Sequence, residues 1–285
     1  MGARRIAGLG GLFVIRMTLR LGVFGTAVLA AGMTTVSLSS QEPGTGPETK
    51  TPAPVQTQNP PAPPPMSAWE RAHQEQLRND WPWLARFKED DLKLPAPAPG
   101  ETRVVFMGDS ITEGWHFDKP EGSFPGKPYI NRGISGQTSP QMVLRFRQDV
   151  IELQPKVVVI LAGTNDIAGN TGPMTLEQTE DNLASMADLA TANRIRVVLC
   201  SVLPAYDFGW HPGLEPAPKI VALNAWIKSY AAEKGYVYVD YHSAMKDQRD
   251  GLPANLSKDG VHPLPAGYAV MAPLVEAGIK SALAQ

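Results

Sequence analysis

At 285 residues, 43% hydrophobic and 19% charged, the chain has room for one large domain or two small ones and the composition of a globular protein. The first 40 residues hold four of the 26 basic residues and none of the 28 acidic ones, so the remainder stands at 22 against 28, a net of −6. That mildly acidic body gives no electrostatic reason to expect nucleic acid or an anionic membrane as a partner.

In chain order, residues 1–40 carry Arg4, Arg5, Arg16 and Arg20 and an apolar run over 21–38, the layout of a secretory signal, which places the protein in the periplasm or outside the cell. An uncleaved membrane anchor is the alternative, the run being barely long enough to span. Two basic clusters make the segment long, and a start at Met17 in place of Met1 gives a more ordinary signal. Residues 41–66 are rich in Pro, Thr, Gln and Ala and end in a proline run at 60–65, which reads as a solvated tether with no core of its own. The folded unit is expected over 67–285, with a helical extension at 67–100.

Ser67 and Glu70 stand at capping-box spacing ahead of a helical pattern to about Lys88. Trp69, Leu77, Trp81, Leu84 and Phe87 line one face of it, and Pro82 predicts a kink or a break. A turn with Pro95, Pro97 and Pro99 follows. Beyond it, β-branched runs at 103–107, 156–161, 196–203 and 236–240, with a shorter strand near 129–131, alternate with helical stretches at 140–154, 176–193, 217–234 and 266–283. Strands apolar on both faces and joined by helix-length crossovers predict a three-layer α/β/α sandwich with a central parallel sheet. The sole cysteine, Cys200, lies in one of these runs and reads as a small buried residue. Ligands of such sheets bind beyond the carboxyl ends of the strands, which points to the loops at 108–115, 132–138, 162–172 and 204–218 and to the segment 255–262.

Ser110 follows the first strand in Gly108-Asp109-Ser110, where a turn into a helix exposes its hydroxyl. The tripeptide alone is a weak signal, since serines after strands often cap helices, and an unactivated hydroxyl needs a base. Of five histidines, His73, His116 and His242 read as solvated or capping, and His211 as exposed or near substrate. His262 stands three residues after Asp259, close enough for the carboxylate to hold the imidazole Nδ1–H and leave Nε2 free for the serine proton. An oxyanion formed on attack needs donors fixed beforehand. Gly136 lets a backbone N–H approach without a Cβ, and the Asn165 amide offers a neutral side-chain donor. Asp109 reads as a loop-ordering residue, and Asp166 has no assigned role.

These blocks together, GDS with Ser110, GISGQT with Gly136, GTND with Asn165 and DGVH with Asp259 and His262, resemble the SGNH hydrolases, also called GDSL esterases and lipases. The resemblance covers about residues 101–283. It implies a flavodoxin-like fold, a catalytic triad of Ser110, His262 and Asp259, an oxyanion hole from the Ser110 and Gly136 N–H groups and the Asn165 side chain, and no metal or cofactor. Trp115, Phe208 and Trp210 are the expected substrate contacts, with a core role for Trp115 and Phe208 as the alternative. No long apolar lid segment is present, which favours short acyl groups, such as acetyl on a saccharide or other small alcohol, over long-chain lipids. A lysophospholipase or thioesterase of the same fold is the nearest alternative. A metal-dependent phosphoesterase would need several converging ligands where only His262 is placed, and a non-catalytic tethered binding module would ordinarily lack one of Ser110, Asn165, Asp259 or His262.

Overall fold

Five short strands form one parallel sheet: β1 Val104–Gly108, β2 Tyr129–Gly133, β3 Val157–Leu161, β4 Arg196–Cys200 and β5 Val237–Val239. Their order across the sheet is β2-β1-β3-β4-β5, with Val104 facing Tyr129 on one side and Val157 on the other. The computed structural model describes residues 66–117 and 123–285; the readings of 1–40 as a signal and of 41–66 as a tether lie outside the described residues, Met66 apart.

Successive strand residues point to opposite faces, and this alternation splits the core in two. Val105, Met107, Val158 and Ile160 pack under one set of helices with Phe146, Met186 and Leu223. Val104, Phe106, Val157 and Val159 pack on the other face with Met271, Val275 and Ile279. The first set of helices is α4 Ser139–Asp149, α6 Leu176–Ala192 and α7 Pro216–Lys234; the other face is covered by α9 Pro265–Ala284 and the short α8 Tyr241–Met245. Burial on both faces is why β1 and β3 are apolar throughout, while the edge strand β2 carries Asn131 and Arg132, and the expected three-layer sandwich is what the strands build.

The extension breaks at Pro82. Helix α1 Ala68–Asn79 and helix α2 Ala85–Lys93 are separate, and the Asp80 carboxylate caps the second by accepting from the N–H groups of Leu84 and Ala85 at 2.8 and 2.9 Å. The break alters the expected apolar face: Phe87 is buried, but Trp81 and Leu84 are turned outward, 37% and 40% exposed. The side chains of Trp69 and Glu70, and with them the expected capping box, lie outside the described residues.

Two other boundaries differ from expectation. The helix expected over 140–154 stops at Asp149 and gives way to a 3-10 turn at Ile151–Leu153, ended by Gln154 at φ 52. The strand expected over 196–203 ends at Cys200, because β5 offers only three residues to pair with. Past that point the Asn224 side chain on α7 takes over the backbone, accepting from Val202 N–H at 2.7 Å and donating to Val202 O at 2.9 Å.

Candidate active site

The strand order reverses between β2 and β3 on either side of β1, so the ends of β1 and β3 flank the crevice where such sheets hold ligands. Ser110 stands at that point as the first residue of the four-residue helix α3 Ser110–Glu113. Its N–H, first in the helix, has no acceptor within it. Asp109 caps the turn, its Oδ1 accepting from the Ile111 N–H at 2.9 Å. This matches the loop-ordering role expected of it. Asp109 is only 1% exposed, and burial pushes its carboxyl up to about 7 against the smaller opposing pull of the Ile111 N–H.

The Ser110 hydroxyl lies 2.9 Å from His262 Nε2, and His262 Nδ1 lies 2.7 Å from Asp259 Oδ2. The chain brings these together through a tight turn before α9. Asp259 Oδ1 accepts from the N–H groups of Val261 and His262 at 2.9 and 2.8 Å and from the buried Ser257 hydroxyl at 3.0 Å. Gly260, at φ +78, makes the turn possible. Burial by itself would raise the Asp259 carboxyl, but the bonds from His262, Val261 and Ser257 outweigh it and hold the group well below the usual carboxylate range. It is therefore an anion that fixes the imidazole with Nε2 toward Ser110. Ser257 escaped the sequence reading; its spacing to Asp259 was the available signal.

The two expected oxyanion donors other than Ser110 sit on neighbouring loops. Gly136 has φ +77, and a Cβ there would meet nothing within 4 Å, so the space beside its Cα is open. Asn165, 4% exposed in α5 Thr164–Ala168, donates from Nδ2 to Gln137 O at 3.0 Å and to Asp109 Oδ2 at 3.2 Å. An incoming anion would share that amide with Asp109, the more distant acceptor. Asn170, which the sequence reading passed over, bridges the two loops: its Nδ2 donates to Asn165 Oδ1 at 2.7 Å and, more weakly, to Gly136 O at 3.4 Å.

Buried polar groups fix these loops from behind. Arg145, fully buried, donates to Gly108 O at 3.0 Å, Gln137 Oε1 at 2.6 Å and Asp149 Oδ2 at 2.9 Å, so it ties the end of β1 to the loop bearing Gly136. Asp166, left without a role by its sequence, accepts from the Ser139 N–H at 3.0 and 3.1 Å and from the Ser139 hydroxyl, anchoring the start of α4. Burial raises its pKa, the Ser139 bonds opposing. Glu113 accepts from the Ser135 N–H at 2.8 Å and from its hydroxyl, joining α3 to the same loop.

Of the three aromatics expected at the substrate, one stands in the crevice. Trp210 is 42% exposed, its ring centre is 6.4 Å from that of His262, and its Nε1 donates to Asn170 Oδ1 at 3.1 Å. Phe208 is fully buried and stacks behind Trp210, with centroids 5.0 Å apart. Trp115 is 3% exposed, packed with Phe106, Phe124 and Tyr268, and donates from Nε1 to Ser123 Oγ at 2.7 Å. Both are core residues, since apolar rings at strand ends fill the space beneath the loops as readily as the space above. His116 and His211 are exposed, as read. His242 is not solvated: it is 7% exposed, and burial lowers its pKa. Among the described residues, no group of three or more His, Cys, Asp or Glu side chains could hold a metal ion. Cys200 is buried, and burial drives its thiol up to about 12, so it is inert at neutral pH.

The sequence profile of the GDSL-like lipase/acylhydrolase family matches residues 106–270. The crystal structure of a GDSL-like lipase from Bacteroides thetaiotaomicron is similar at 46% identity, covering 71% of this chain and all of that one, with a TM-score of 0.68. An acetylxylan esterase from Geobacillus stearothermophilus is 28% identical over 203 residues, covering 60% of this chain and 90% of that protein. Another from Xylanibacter ruminicola is 26% identical over 250 residues, covering 75% of this chain, which spans only 49% of that protein's length. The family and these esterase relatives support hydrolysis of carboxylic esters. With more than half of its length matched by the profile, the chain belongs to the GDSL-like lipase/acylhydrolase family.

Proposed function

We propose that the chain is a serine esterase that removes short acyl groups, such as acetyl, from a saccharide or other small alcohol through an acyl-enzyme at Ser110. The observation that carries this reading is the continuous line of bonds from Ser110 Oγ to His262 Nε2 at 2.9 Å and from His262 Nδ1 to Asp259 at 2.7 Å. In this mechanism Ser110 Oγ attacks the ester carbonyl carbon while its proton passes to His262 Nε2, and Asp259 steadies the imidazolium. The carbonyl oxygen becomes an anion held by the N–H groups of Ser110 and Gly136 and the Asn165 amide. Collapse breaks the bond to the alcohol, which leaves with the proton from His262. Water then repeats the sequence: it gives a proton to His262, attacks the acyl carbon, and releases the acid as Ser110 recovers its proton.

Short acyl groups are favoured by the absence of a long apolar lid segment from the loops around Ser110 and by the acetylxylan esterase names of two relatives. We also propose that residues 1–40 direct export, with 41–66 as a tether; N-terminal sequencing of the mature protein tests this. The esterase reading is tested by hydrolysis of ring-free acyl esters of increasing chain length with wild type and Ser110→Ala, alongside labelling by a fluorophosphonate. Turnover should fall by at least about a thousandfold and labelling should vanish in the variant. Unchanged turnover would remove Ser110 from the mechanism, and a rate rising steadily with chain length would remove the short acyl group.

A further inference from the structure

A cavity of about 130 Å³ opens beside Gly136, and the N-terminal extension builds one of its walls. His73, Gln76 and Leu77 of α1 and Trp83 of the following turn face Gly136 and Asn170 across it. We propose that this cavity is the subsite for the alcohol half of the ester and that it receives one hydroxylated six-membered ring, a single sugar unit. The proposal rests on the esterase reading above.

Size is the first argument. A cavity of roughly 150 Å³ encloses one benzene ring, so at about 130 Å³ this one has room for no more than one six-membered ring, whose hydroxyls must reach past its rim, and not for a long acyl chain. Charge is the second. No Asp, Glu, Lys or Arg lines the cavity, so a phosphate-bearing headgroup would find no cation there. Its polar lining is amides, the Ser135 and Thr171 hydroxyls and an imidazole, and beside them stand the Trp83 indole and the Leu77 side chain, an apolar face with hydrogen-bonding groups around it.

Rigidity is the third. The turn at 81–83 is held to the active-site loop by two buried amides: Gln137 Nε2 donates to Pro82 O at 2.7 Å and Gln141 Nε2 to Trp81 O at 2.7 Å. Trp83 itself has φ +56, a conformation a bulky residue adopts only where its surroundings impose it, and it turns the indole to the cavity. The wall is thus bolted to the residues flanking Gly136. A ring seated there lies beside the loop expected to hold the ester carbonyl.

The test compares full-length wild type, Leu77→Trp, which fills the cavity, and Trp83→Ala on an acetylated methyl glycoside and on ethyl acetate. The variants should lose about tenfold or more in kcat/KM on the glycoside, mainly through KM, and stay within about twofold on ethyl acetate. If Trp83→Ala does not fold, Leu77→Trp carries the comparison alone. Equal losses on both esters, or no loss on either, would overturn the subsite. Ring binding is read separately by titrating the unacetylated methyl glycoside into Ser110→Ala and Ser110→Ala/Leu77→Trp by NMR, with binding expected only in the first. Binding without ester hydrolysis by wild type would overturn the esterase reading and leave the ring subsite standing; hydrolysis without binding would do the reverse.

Discussion

Replacing Asn170 by aspartate should damage catalysis more than replacing it by alanine, although aspartate is nearly isosteric. The reason is one polarity that runs through three side chains. An indole N–H can only donate, so Trp210 Nε1 fixes Asn170 with Oδ1 toward it at 3.1 Å. The Asn170 Nδ2 is thereby turned to Asn165 Oδ1 at 2.7 Å, and Asn165 is left with its own Nδ2 toward Gln137 O and Asp109. Alanine at 170 removes three hydrogen bonds, one of them weak, at an exposed position where water can replace most of what is lost. A loss of about 0.5–1.5 kcal/mol, or roughly two- to thirteenfold in kcat, is expected. Aspartate sets a carboxylate oxygen against Asn165 Oδ1, and the repulsion turns or displaces the amide. The loss then approaches that of an oxyanion donor, about 2.7–4 kcal/mol, or roughly 100- to 1000-fold in kcat. The assay is steady-state kinetics on ethyl acetate, with urea unfolding of both variants to separate activity from stability. An aspartate variant as active as the alanine variant would refute the account of Asn165 orientation.

Three further outcomes follow from the buried groups. Arg145→Met leaves the Asp149 carboxylate buried without its cation and should lower the unfolding free energy by about 3–5 kcal/mol in urea, with much of the loss recovered by adding Asp149→Leu. A change under about 1 kcal/mol would mean that the pair is replaced by water. For Asp109, the pKa is raised in the fold, so between about pH 4 and about pH 7 the folded state holds a proton that the unfolded chain has released. Its contribution to stability therefore falls as pH rises through that window, by on the order of 4 kcal/mol in all, and is flat below it. Asp109→Asn has no such titration, so wild-type stability minus variant stability should decline from pH 4 to pH 7.5 in denaturant titrations; a constant difference would refute the shift. Gly133→Ala would place a Cβ 2.1 Å from the Glu113 backbone nitrogen. Backbone cannot yield as a side-chain tip can, so a loss of at least about 2 kcal/mol is expected, read as a lowered Tm.

The sheet was legible because its strands are buried on both faces and its crossovers are long. Runs such as Val157 to Leu161 cannot serve on a surface, and α6, expected over 176–193, spans Leu176–Ala192. Helices α5 and α8 were not legible, and α3 was legible only as an unbounded turn into a helix after Ser110. At four or five residues they are shorter than the window in which a 3.6-residue period can be seen. At the site, the blocks around Ser110, Gly136 and Asn165 could be read because each follows a strand end, and the one around His262 because Asp259 stands three residues before it. Asn170, Glu113 and Arg145 could not. A polar side chain in sequence looks the same whether it meets water, a loop carbonyl or a buried carboxylate, and only the fold separates these. Trp115 and Phe208 failed for the converse reason: an aromatic in a loop carries no mark of which side of the loop it packs on.

The two halves of the site are built differently, and this decides what their residues do. Asp109, Asn165, Arg145 and Asp166 are each 4% exposed or less, so their bonds form away from water, and losing one partner leaves another buried and unsatisfied. Asp259 and His262 have side chains 53% and 44% exposed. A pair so open to solvent adds little to folding, because water and salt screen it. Its short bond matters for direction: four bonds to Asp259, two of them from backbone N–H groups, hold the carboxylate still, and the carboxylate holds the ring. The proposed oxyanion side is thus preorganised by a packed interior, and the proposed base side by one tight turn. Changes behind Gly136 and Asn165 should therefore lower stability and rate together. Changes in the 257–262 turn should lower rate with the sheet intact, which is the division expected when a rigid scaffold carries its base on a surface loop.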